Sequence, residues 1–183
     1  MRTRNVQDTR KQSCAELVAE VAERQIEAIR LMLCPGMDDV EFNEETGVLS
    51  LGDVEIEVPS KELEGWRDDD GDLDSDEIIE DRWDDLCEAA NTAWYEHGLS
   101  FSYMTPEDGE HYWCYLISWG GPSSEIRFYA NYDLTLYRAE FWYMDWFDGA
   151  SVAVTRDDTI VRMWDEFTET ETAEAVRHQA LDE

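Results

Sequence analysis

Lysine is almost missing from this chain. Lys11 and Lys61 are the only two, beside 12 arginines and 45 acidic residues in 183, and the formal charge is −31. A field of that sign repels nucleic acid and anionic lipid and attracts basic proteins or cations, so neither direct nucleic-acid binding nor membrane-surface binding is expected. Paired cysteines are lacking too. Cys14, Cys34, Cys87 and Cys114 contain no C-x-x-C spacing, which leaves no zinc or dithiol motif and predicts free thiols. The histidines, His97, His111 and His178, have no metal-like mutual spacing, and no cofactor is expected. No apolar run approaches the roughly 20 residues that span a bilayer. The N-terminal MRTRNVQDTRKQ is polar, without the apolar core of a secretory signal, and a cytoplasmic location is expected. Internal repeats and low-complexity linkers are also missing.

What is present is enough for a core: 43% of the residues are apolar, with eight Trp, eight Tyr and six Phe. The chain therefore reads as one α+β domain over residues 1–183, with a frayed stretch at 1–12 and a polar tail at 168–183 that is either helical or loose. Ser13 with Glu16 forms a capping-box signal for a helix over Cys14–Leu33, buried along Leu17, Val18, Val21, Ala22, Ile29, Met32 and Leu33. Glu20 and Arg24 offer an i,i+4 pair on it. Pro35 and Gly36 stop it. A small acidic β-hairpin region follows. Val40 and Phe42 alternate with polar residues, and Gly52-Asp53 is a two-residue hairpin signal between Leu49, Leu51 and Val54, Ile56, Val58.

Asp74 and Glu77 give a second capping-box signal, for one helix running to His97 with a stripe of Ile79, Trp83, Leu86, Ala90 and Trp94. His97 then sits at a helix C-terminus, where a cation suits the dipole. Five strands with short turns follow from Ser100 to Thr155, then a helix over about Asp157–Phe167. The expected architecture is a meander-like antiparallel sheet with two main helices and a C-terminal helix on one face. Trp113, Tyr115, Trp119, Phe128, Phe141, Trp142, Tyr143, Trp146 and Phe147 are expected to lie mostly in the core. The dense run Phe141–Phe147 also offers an outer face for a homodimer or partner.

The acid is uneven. Residues 1–36 carry net +1, residues 37–110 carry 26 acids and three bases, and residues 111–183 carry net −9. Its peak is Trp66–Glu88, with 12 acids against Arg67 and Arg82. The candidate partner-binding residues are Asp68, Asp69, Asp70, Asp72, Asp74, Asp76, Glu77, Glu80, Asp81, Asp84, Asp85 and Glu88, with Glu55 and Glu57 on the outer face of the hairpin. Catalytic pairings are not recognisable. With 45 acids any carboxylate pair is uninformative, and Cys114 with His111 at i,i+3 on a strand would point to opposite sides.

Two motif-level comparisons apply to this stretch. The D-x-D-G-D-x-D loop resembles an EF-hand in the register that puts Gly71 at the turn, with Asp68, Asp70, Asp72, Asp74 and Glu77 on ligand positions but Trp66 where the first ligand belongs. In composition, residues 37–110 resemble the acidic DNA-mimic anti-restriction and anti-CRISPR proteins of phages and plasmids, with no family motif to carry residue roles across. That resemblance implies a non-enzymatic inhibitor whose carboxylates stand in for phosphates against a basic nucleic-acid-binding complex. Haloadaptation is the competing explanation of the charge. It predicts evenly spread acid, whereas the first 36 residues are nearly neutral.

Overall fold

A computed structural model describes residues 12–33, 35–67 and 73–182. The first helix, α1, spans Cys14–Leu33. The Glu16 carboxylate accepts the Ser13 N–H at 2.9 Å and the Ser13 hydroxyl at 3.0 Å, fixing where the helix starts. Those two donors hold the Glu16 carboxyl below its usual range. Val18, Val21, Ala22, Ile26 and Ile29 are buried, while Leu17, Met32 and Leu33 are only partly so. The cation that pairs on this helix is Arg30, with Glu27 and Asp39, in place of the expected Arg24.

Past a single 3-10 turn at Met37–Asp39, strands β1 (Glu41–Asn43), β2 (Val48–Leu51) and β3 (Val54–Glu57) form a small antiparallel sheet. Gly52, at φ +58°, makes the two-residue turn from Leu51 to Val54. Leu49 and Leu51 face inward beside Ile56 and Val54, and Glu41, Glu55 and Glu57 are exposed. A short α2 (Ser60–Leu63) and a 3-10 turn (Glu64–Trp66) lead to an antiparallel bridge between Arg67 and Leu73.

The expected single helix from Asp74 to His97 is two helices, α3 (Ser75–Asp81) and α4 (Trp83–His97), broken at Arg82 with φ −99° and ψ 5°. Ile78 and Leu86 are both fully buried in the same core, while Ile79 and Trp83, the expected stripe residues, are only partly buried. Half of the expected capping box forms. Asp74 Oδ1 accepts Glu77 N–H at 3.1 Å, but the Asp74 N–H donates to Trp66 O.

Strands β4 (Ser100–Met104), β5 (Tyr112–Ser118), β6 (Ser123–Ala130), β7 (Leu136–Asp145) and β8 (Asp148–Ala153) form the five-stranded antiparallel meander in chain order. Asp157 caps α5 (Asp158–Glu169) by accepting the N–H groups of Thr159 and Ile160. The tail is not loose. It is a helix, α6 (Thr172–Asp182), held by Trp113 Nε1–H donating to Ala173 O at 2.8 Å and by Arg177 donating to Tyr132 O at 2.9 Å. Only Ala173 and Arg177 of α6 are buried, so its sequence has almost no apolar stripe to betray it.

Two cores result. Trp113, Tyr115, Ile117, Ile126, Phe128 and Phe141 of the large sheet pack against α1, α5 and Trp94 of α4. The small sheet packs against Ile78, Leu86 and Ala90, making a two-layer acidic lobe into which α1 also sends Leu31.

The Arg30–Asp39 pair ties α1 to this lobe through two hydrogen bonds, at 2.9 and 2.8 Å. Arg30 first, then the Gly36 N–H, lowers the Asp39 carboxyl to about 2. Because Asp39 ionises at lower pH in the folded chain, the unfolded state takes up the proton first. The stabilisation is complete above about pH 4 and is lost as pH falls through about 2. Asp39→Asn is expected to cost about 1–2 kcal/mol at neutral pH, allowing for the partial exposure of Arg30. Urea melts of both proteins across this range should show the difference vanish in acid. A constant difference would mean that the carboxylate charge is not what stabilises.

Candidate functional site

The acidic lobe is built so that its carboxylates cannot turn inward. On α4, Leu86 and Ala90 face the core, which puts Asp84, Asp85 and Glu88 on the solvent side, and Glu80 and Asp81 are exposed at the end of α3. Arg82, the cation among them, is partly buried and already engaged. It pairs with Glu62 of α2, with Asp85 at 3.0 Å and with Asp81 at 3.5 Å. Glu80, Asp84 and Glu88 have no ionic partner among the described residues. In the sequence Glu80, Asp84 and Glu88 stand at i,i+4 spacing, but the break at Arg82 falls between Glu80 and Asp84 and interrupts that row. Asp84 and Glu88 keep the roughly 6 Å spacing along one helix.

Glu55 and Glu57 do not join that row. They lie on the outer face of the small sheet, with Glu41 across the ladder through Ser50, and this face looks away from the helix layer. The lobe therefore carries acid on two opposite sides. Layers about 10 Å apart, with side chains reaching about 5 Å further on each side, place the two charged faces about 20 Å apart. The lobe is thus a two-layer unit with negative charge on both faces.

Of the other site residues, Asp76 and Glu77 are exposed in the first turn of α3, where acids suit the helix dipole, and Asp74 serves as the N-cap. Asp68, Asp69, Asp70 and Asp72 lie outside the described residues, as does Cys34. The EF-hand-like register thus retains Asp74 and Glu77 inside the described structure, with Asp74 spent on a backbone N–H. Among the described residues no group of three or more His, Cys, Asp or Glu is placed to hold a metal ion.

The remaining polar groups have structural surroundings. His97 is half-buried with Nδ1 3.1 Å from Tyr115 Oη, and burial holds its pKa below the usual value. His97 does end α4, as expected, while its burial disfavours the charged form there. Burial, then the neighbouring Glu125, pushes the Cys114 thiol up to about 12, and burial likewise raises Cys14 and Cys87. Thiols so held are poor nucleophiles at neutral pH. An open cleft of about 630 Å³ lies between α1, the β2–β3 turn and the C-terminal end of α4. Its floor includes Leu31, Met32 and Leu51, and Arg24, Glu27 and Glu96 line it as well.

Sequence reasoning missed the outer face of the large sheet, on which no helix packs among the described residues. There Arg127 lies between the rings of Trp142 (4.0 Å) and Tyr112 (4.8 Å) and pairs with the buried Glu125, and Arg138 lies 3.7 Å over Tyr129. The period-2 alternation Glu125, Arg127, Tyr129 against Arg138, Glu140, Trp142 was the available signal. These arginines are consumed by the sheet itself, so the face is close to neutral.

Among the described residues no helix is long and apolar enough to cross a membrane. Comparison with protein-family models, curated proteins and solved structures finds no match.

Proposed function

We propose that the protein is a non-enzymatic DNA mimic that occupies the basic nucleic-acid-binding surface of a host defence complex, a CRISPR effector or a restriction enzyme. The observation that carries this reading is the two-sided acidic lobe. Glu80, Asp84 and Glu88 lack a cationic partner among the described residues on one flank, and Glu41, Glu55 and Glu57 are exposed on the other. Effectors of this kind hold a duplex in a channel lined by Lys and Arg, gripping phosphates by charge and shape. A two-layer lobe with carboxylates on both faces offers negative charge to both walls of such a channel, and its field speeds the encounter. Preorganisation matters here. The acids stand on elements tied down by a buried core, so little backbone ordering is left to do on binding.

The test is competition. Labelled duplex held by a CRISPR effector or a type I restriction enzyme is titrated with the protein at low and high salt, with calcium and with chelator. Displacement that weakens with salt and ignores calcium is expected. Displacement that requires calcium would transfer the role to the Asp68–Glu77 loop. Failure to displace from either complex, with a melting temperature that rises only in molar salt, would leave haloadaptation as the source of the charge.

A further inference from the structure

Three aromatic side chains stand in solvent at one end of the large sheet. Trp119, in the turn between β5 and β6, and Trp146, in the turn between β7 and β8, are each 82% exposed, and Phe147 is fully exposed. Of the aromatics expected to lie mostly in the core, these three are outside it. The two turns touch, because a Cβ on Gly121 would come within 2.7 Å of Trp146 Nε1. Trp146 also holds φ at +56°, the left-handed region that glycine or asparagine fills in hairpins and that a bulky side chain enters only against strain. Its indole belongs to neither core, so folding gains little from a tryptophan there.

We propose that this aromatic tip is a homodimer contact, its occupant being the same tip of a second copy. The charge distribution favours that occupant. At the tip the first N–H of α1, that of Cys14, donates to Asp148 Oδ2 at 2.7 Å, and α1 then carries Leu31 into the acidic lobe at its other end. At about 1.5 Å per residue, tip and lobe lie about 25 Å apart along that helix. This exceeds the Debye length of roughly 8 Å at physiological salt, so tip-to-tip pairing keeps the two acidic lobes screened from each other. Two chains of charge −31 meeting lobe to lobe would repel. The area is also sufficient. Three aromatic side chains at about 150–250 Å² each approach the roughly 800 Å² per partner of a standard interface. A basic partner, by contrast, is drawn to the far end of the molecule. The inference does not depend on the function proposed for the lobe.

Sedimentation velocity over a concentration series at low and high salt tests it. A monomer–dimer equilibrium is expected, with the dimer fraction rising with concentration and rising further with salt as residual repulsion is screened. The variant Trp119→Ser, Trp146→Gly, Phe147→Ser should remain monomeric throughout and melt at the same or a higher temperature, since it removes no core contact and relieves the left-handed residue. A monomer at every concentration and both salts overturns the proposal. So does a dimer that survives the triple substitution or that salt dissolves. If the variant instead loses competition against the basic complex while the parent chain is monomeric, the tip belongs to that complex and not to a second copy.

Discussion

Replacing Glu80, Asp84 and Glu88 by Gln, Asn and Gln is expected to weaken displacement of duplex DNA roughly 3- to 100-fold without lowering the melting temperature. Exposed charges at a contact each contribute about 0.2–1 kcal/mol, and three together amount to about half a decade to two decades of affinity. Most of the loss should appear in the association rate, because charges of this kind steer encounter more than they hold the complex. These three are the informative set because they avoid the Arg82 network. Adding Asp81→Asn and Asp85→Asn should weaken binding further, but it also strips two of the three carboxylates that Arg82 contacts. Stability should hold or rise, since like charges at i,i+4, as at Asp84 and Glu88, are mildly repulsive. Unchanged competition by a folded triple variant would remove the helix flank from the mechanism. The outer sheet flank would then be tested by Glu55→Gln with Glu57→Gln.

The largest effect on stability is expected from Trp113→Ala, at about 3–5 kcal/mol. Trp113 is 2% exposed, meets Tyr103 and Trp164 edge to face at 4.6 and 5.2 Å, and donates its indole N–H to Ala173 O at 2.8 Å. Its removal leaves a cavity and also strips one of the hydrogen bonds that dock α6. Trp113→Phe separates the two contributions. It keeps most of the volume and loses only the indole hydrogen bond, since Ala173 O still accepts within α6, for an expected cost of about 0.5–1.5 kcal/mol. Urea denaturation of both variants checks this. A cost below about 1 kcal/mol for the alanine variant would mean that the sheet and α6 repack around the gap.

The sequence by itself determined the elements whose signals are local. The span of α1, the small hairpin turning at Gly52-Asp53, the five-stranded meander and the start of α5 at Asp157 follow from capping residues, glycine in turns and two-residue alternation. Each is a choice a few neighbouring residues can make. The outward direction of Glu80, Asp81, Asp84, Asp85 and Glu88 was legible for the same reason, as the complement of an apolar stripe.

The tertiary structure decided what depends on distant partners. It split the acid-rich helix at Arg82, whose guanidinium pairs with Glu62 of α2, a partner that no local signal announces. It folded the polar tail, because Trp113 and Tyr132 supply contacts that no stripe in α6 announces. It put Glu55 and Glu57 on the flank opposite Glu80, Asp84 and Glu88, since a sheet and a helix sharing one core must turn their polar faces apart. It left Trp119, Trp146 and Phe147 in water. Hydrophobicity alone assigns such residues to a core, but whether a core lies within reach is a property of the assembled sheet, not of the residues in its turns.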